Sequence, residues 1–279
     1  MNSFFLSIAL VFSLLSYKQD SLKKIKILDK FYEDRHLNRV EYKLFVPQKS
    51  RKLNFIIYPG ASPTAEEHPG LIMLGTVLAQ IGYNVFIPRI PLLKQLIINN
   101  EVVLDFHHFY NWLIDSQKIK SNNIALIGIS FGGAMTLKLF ESKKVLNNQP
   151  KTIFTYGTYN NFESALEFLI SGKIIINQKE KKITPHPWGL VVMFYNYLST
   201  INTDLDVNKI KTVLEFQIND KEDKIKQHLN TLPIKEKQIT EKILNCIIDD
   251  EILKYIKSII AFNQDLFRYL SSHNWNNKI

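Results

Sequence analysis

The chain has 279 residues, of which 46% are hydrophobic and 22% charged; these are ordinary globular values that exclude a disordered or fibrous chain. Its net charge is +9, but the lysines are spread along the whole sequence. The two dense runs, Lys179–Lys182 and Lys221–Lys226, also carry acids, so no nucleic-acid partner is expected. Cys246 is the single cysteine, which excludes an intrachain disulfide and a cysteine-based metal site. It falls among Ile243, Leu244, Ile247 and Ile248, a helical apolar pattern in which a buried thiol is expected.

Phe4 to Leu15 is apolar apart from two serines. That length suits the core of a signal peptide and falls short of the roughly 20 residues a bilayer span needs. No Lys or Arg precedes it. Residues 1–20 are therefore read as an export signal or tether, with membrane association through residues 1–16. The alternative is an N-terminal helix packed on a cytoplasmic domain.

From there the elements follow in alternation. Arg39 to Val46 alternates and stops at Pro47, as an outer strand does. Leu53 to Tyr58 is a continuous apolar run ended by Pro59 and Gly60. Pro69 to Ile81 has helical spacing and stops at Gly82. Tyr83 to Ile87 is the next strand, closed by Pro88, and Pro88 to Lys94 reads as a proline-stiffened loop. In that loop Arg89 is either a surface residue or a receptor for an anionic leaving group. Val102 to Ile114 is helical, and Ile124 to Ile127 is a buried strand. Thr152 to Tyr156 is one more strand, followed by Gly157. Strands alternating with helices imply an α/β fold with a mostly parallel sheet.

Between the strand at Ile124 and the amphipathic run Ala134–Phe140 lies Gly128-Ile129-Ser130-Phe131-Gly132-Gly133. Of the chain's 10 glycines, three fall in these six positions, so small residues are concentrated where strand and helix must cross. A serine at the apex of strand, sharp turn and helix is the pattern G-x-S-x-G, in which the turn exposes the hydroxyl at a helix N-terminus. Ser130 is the candidate nucleophile, with Gly128 and Gly132 as the small residues of the elbow.

After residue 160 the rhythm changes. Phe162 to Ile170 is helical, and Lys173 to Lys182 reads as a polar loop. Trp188 to Tyr197 is rich in aromatics, either as pocket wall or as helix core. Thr212 to Ile218 is the one strand-like stretch here, and Asp223 to Tyr269 is helical with a break at Pro233.

The stretch from Arg39 to Gly157 resembles the α/β-hydrolase superfamily. That resemblance implies a catalytic Ser130 and an oxyanion hole made by the backbone N–H of Phe131 and that of Ala61 or Gly60. It also implies a helical cap after the fifth or sixth strand. The expected domains are then 21–160 as core, 161–270 as cap or lid and 271–279 as a truncated return to the core. The family's chain order is Ser, acid, His. Asp220 or Asp223 with His273 keeps that order, and Asp223 with His273 is the candidate acid and base. The competing reading is a chain lacking the C-terminal strands that carry acid and base, which would leave an unpaired sheet edge.

The implied activity is a serine hydrolase cleaving a small-molecule ester or thioester through an acyl-Ser130 intermediate. The alternative is a catalytically impaired or truncated hydrolase-like protein with a binding role or none. No cofactor and no metal is expected, since no histidine–carboxylate cluster has ligand spacing and no dinucleotide or Walker pattern occurs.

Overall fold

The computed structural model describes residues 25–159 and 161–271. The expected tether at residues 1–16 and the candidate base His273 lie outside the described residues. The chain divides into two compact units, the second being Asn161–Ser271.

The first unit is built on a six-stranded sheet of order β1-β2-β4-β3-β5-β6. Its strands are β1 (Ile25–Glu33), β2 (Arg39–Pro47), β3 (Asn54–Tyr58), β4 (Asn84–Pro88), β5 (Ile124–Ile129) and β6 (Thr152–Tyr156). β1, β2 and β4 pair antiparallel, while β4, β3, β5 and β6 run parallel. The burial patterns explain the division. β5 is buried along nearly its whole length, as a strand covered on both faces must be. β1 is mostly exposed and pairs on one side only. The sequence pattern does not predict this strand, because its apolar residues are interrupted by charges on the solvent face.

The helices of this unit are α1 (Pro69–Gln80), α2 (Pro91–Lys94), α3 (Glu101–Asp115), α4 (Phe131–Lys138) and α5 (Lys143–Asn147). α1 lays Leu71, Leu78 and Ala79 against Phe45, Ile57, Val85, Ile87 and Ile127. Residues of opposite parity on the same strands meet α3. Tyr58 stacks on Phe106 at 4.2 Å between ring centroids, and Tyr42 meets Phe109 edge-on at 5.8 Å. Tyr58 is fully buried, so its hydroxyl needs a partner and donates to the Phe106 carbonyl at 2.9 Å. Burial raises its phenol pKa, which keeps that proton in place. Arg35, at the β1–β2 turn, donates to both Glu101 and Asp105 at 2.8 Å and ties the antiparallel ribbon to α3.

Among the described residues, β6 is the outermost strand opposite β1, with Phe154 58% and Tyr156 68% exposed.

The second unit opens with α6 (Phe162–Ser171), which Asn161 caps by accepting from the Ser164 N–H at 2.9 Å. The segment expected to be a polar loop forms a hairpin instead, β7 (Lys173–Ile176) and β8 (Lys179–Lys182). Its two-residue turn, Asn177 and Gln178, has positive φ at both positions. That matches the twist of the strands and closes the pair. Then come α7 (Pro187–Tyr197), α8 (Val207–Ile218), α9 (Glu222–Leu229), α10 (Ile234–Leu244), α11 (Asp250–Phe262) and α12 (Gln264–Leu270).

Two expectations are corrected in this unit. Thr212 to Ile218 is not a strand but the end of α8, because Ile210, Val213, Leu214 and Ile218 form one buried helical stripe. Cys246 is not a core thiol. It follows α10 in a turn at φ 54° and is partly exposed. On α7 the aromatics Phe194 and Tyr197 are buried, and Tyr197 meets Phe267 edge-on at 5.1 Å, so these two serve as packing of this unit. Phe162 donates its N–H to the Ser271 hydroxyl at 2.9 Å, which brings together the two ends of the unit.

Candidate active site

β5 hands over to α4 through a single residue. Ser130 takes φ 53° and ψ −130°, a region that L-residues avoid. Backbone bonds hold it there: its N–H donates to the Tyr156 carbonyl at 2.8 Å, and its carbonyl accepts from the Gly133 N–H at 2.9 Å. Strand and helix can cross this closely only without side chains. A Cβ on Gly128 would lie 2.6 Å from the Gly133 Cα, and one on Gly132 only 2.0 Å from the Pro59 oxygen. Gly128 and Gly132 therefore leave the room in which strand and helix cross. Gly133 belongs with them, since its Cβ would strike Thr158 at 2.7 Å.

Ser130 itself is exposed. The loop after β3 comes up beside it. A Cβ on Gly60 would sit 3.0 Å from the Ser130 Cβ and 3.6 Å from its Oγ. Phe131 is the first residue of α4, so its N–H has no acceptor within the helix. Among the described residues, no carbonyl or side chain accepts from the N–H of Gly60, Ala61 or Phe131. The arrangement is thus a serine on a strained strand-to-helix turn, at the C-terminal end of a mostly parallel sheet, flanked by the loop that follows β3. The first unit has the mixed, mostly parallel α/β architecture expected of an α/β-hydrolase core.

Comparison with solved structures finds esterases and a dienelactone hydrolase. Against esterase Est22 the TM-score is 0.42 at 16% identity, covering 56% of this chain and 52% of that one. Against carboxyl esterase 2 of the fungus Tuber melanosporum the values are 0.41 and 17%, covering 50% and 48%. Against a dienelactone hydrolase from Anabaena variabilis they are 0.39 and 11%, covering 48% and 64%. The chain spans about half the length of the two esterases. No family model and no curated protein matches the sequence.

The acid and base of an α/β-hydrolase site are less readily placed. Asp223 is exposed in the first turn of α9 and does not follow a strand, because the preceding segment is helix. The same helix removes the positional reason for choosing it. Asp220 lies in the turn between α8 and α9 at φ 53°. Within the first unit, two of the four described histidines are engaged in hydrogen bonds through their rings. His68 caps α1, its Nδ1 accepting from the Gly70 N–H at 3.1 Å. His108 pairs through Nε2 with the Glu33 carbonyl at 2.6 Å. His107 belongs to α3, where burial lowers its imidazole pKa below the ordinary value. In the second unit, His186 caps α7 through Nδ1, which accepts from the Trp188 N–H.

Arg89 is not available to an anionic leaving group. Its guanidinium meets Glu41 and Glu66 at 2.6 Å each, and Glu67 at 3.8 Å. The sequence pattern does not single out Glu66, which is 1% exposed. It has no motif, and its cations stand 23 and 28 residues further along the chain. No group of three or more His, Cys, Asp or Glu among the described residues is placed to hold a metal.

Proposed function

We propose that this α/β-hydrolase chain cleaves a small-molecule ester or thioester through an acyl-Ser130 intermediate. The observation that carries the reading is the conformation of Ser130 at the mouth of α4, with Gly60 packed against it. The hydroxyl stands clear of the sheet for attack on a carbonyl. The N–H groups of Phe131 and Ala61, or Gly60, are the donors for the oxyanion that forms, each worth roughly 3 kcal/mol of barrier. The positive end of the α4 dipole adds to the same field. Attack needs a base to take the hydroxyl proton, and we assign it to His273. Water then releases the acyl group. Asn161–Ser271 is assigned as the cap domain.

A fluorophosphonate probe tests the nucleophile. Wild type should be labelled at Ser130, Ser130→Ala should not, and His273→Ala should label on the order of 10³-fold more slowly. Equal labelling of wild type and Ser130→Ala would end this reading. A second reading, a catalytically impaired chain that keeps the fold for binding, rests on the structural duties that occupy His68 and His108. It gains if His273→Ala labels at the wild-type rate.

Residues 1–16 are assigned as an export signal or tether. Among the described residues, no helix is long and apolar enough to cross a membrane. Fractionation of cells carrying a C-terminally tagged chain should place it in the exported or membrane fraction. A tagged chain found wholly in the cytosol would remove the assignment.

A further inference from the structure

The loop that carries Gly60 and Ala61 is gripped at both ends. At the near end Gly60 packs on Ser130. Four residues beyond Ala61, the buried Ala65 is forced to φ 38°, a conformation that a non-glycine residue holds only when its surroundings impose it. Glu66 follows at once. Its Oε1 accepts from Arg89 Nε at 2.6 Å and from Lys94 Nζ at 3.2 Å, both in the segment after β4. The Ser62 N–H, in the same loop, donates to the Leu93 carbonyl at 3.2 Å.

The carboxylate is poorly used for a group so deeply buried. Its second oxygen, Oε2, has no hydrogen-bond partner among the described residues. Burying a charge and leaving one oxygen unmet works against stability, and an apolar side chain of similar size would serve packing as well or better. We infer that Glu66 is a positioning residue. Through Arg89 and Lys94 it holds the loop so that the Ala61 or Gly60 N–H points at the oxyanion formed on Ser130. This rests on the acyl-Ser130 reading and adds to it a second segment, Arg89–Lys94, that sets the donor geometry.

The test compares wild type with Glu66→Leu, Glu66→Gln and Arg89→Gln, using p-nitrophenyl butyrate turnover, urea unfolding and amide hydrogen exchange of residues 59–68. Glu66→Leu should unfold at the same or a higher urea concentration. Its kcat should fall about 10- to 100-fold with KM within about twofold, because misplaced donors weaken only the transition state. Glu66→Gln keeps an oxygen for both cations and should recover most of that kcat. Arg89→Gln, acting from the other segment, should reproduce the loss. Exchange should quicken over residues 59–68 alone in Glu66→Leu and Arg89→Gln. Unchanged kcat in Glu66→Leu, or a loss that follows a lower unfolding midpoint with faster exchange throughout the unit, would overturn the inference. If wild type shows no Ser130-dependent turnover, the hydrolase reading fails and the catalytic role of Glu66 with it. The exchange data would then still show whether Glu66 grips the loop.

Discussion

Replacing Ser130 with glycine will give a protein more stable than the parent and without Ser130-dependent turnover. The serine sits at φ 53° and ψ −130°, where a Cβ crowds the backbone. A strained residue of this kind costs about 1–3 kcal/mol, which glycine avoids. Glycine also gives the unfolded chain more freedom, a loss of about 0.4–1 kcal/mol, so a net gain of about 1 kcal/mol is expected. The bonds that hold the turn are made by backbone atoms, the Ser130 N–H to Tyr156 and the Ser130 carbonyl from Gly133, and they survive the change. Ser130→Ala keeps the Cβ and should therefore keep the parent's stability. Both variants should lose on the order of 10⁴-fold or more in turnover. Urea midpoints measured side by side decide the matter. If Ser130→Gly unfolds earlier than Ser130→Ala, the elbow is not under strain.

The largest effect on folding is expected from Gly132→Ala. The added methyl would lie 2.0 Å from the Pro59 oxygen, 2.8 Å from its carbonyl carbon and 3.1 Å from the Tyr58 oxygen. All three are backbone atoms at the end of β3, so no side chain can swing aside. Either α4 lifts from the sheet or the loop bearing Gly60 and Ala61 moves. We expect a loss of about 3 kcal/mol or more, at the upper end for overpacking, and loss of fluorophosphonate labelling in whatever remains folded. Gly189→Ala is the control. In α7 its methyl meets first the Leu169 Cδ1 at 3.0 Å, the free end of a flexible side chain. The better helix propensity of alanine, worth about 1 kcal/mol, offsets that contact, so stability should change by less than about 1 kcal/mol. Equal midpoints for the two variants would mean that the strand and helix cross at Gly132 with room to spare.

Both predictions depend on the stretch Gly128–Gly133, which is legible in the sequence because it needs only local order: an apolar strand, small residues at fixed offsets and an amphipathic run. The inner parallel strands are legible for the same reason, since burial on both faces leaves continuous apolar runs such as Ile124–Ile129. β1 is not, because a strand paired on one side and open to water carries charges through its length. Nor is the hairpin at Lys173–Lys182, whose pairing rests on backbone dihedrals at Asn177 and Gln178 and not on a hydrophobic pattern. At Thr212–Ile218 the β-branched residues suggest a strand, and tertiary burial of one helical stripe overrides that propensity.

By itself the sequence determined the α/β class, the strand-to-helix turn at Ser130 and the change to a helical second part, because each is a matter of residue type at short, regular spacing. Tertiary structure alone decided that Gly60 packs on Ser130, that Arg89 is held by Glu41 and Glu66, and that Asp223 follows a helix. Those outcomes join residues far apart in the chain. They depend on which loops the sheet order brings side by side, and a local pattern of apolar and polar residues holds no record of that order.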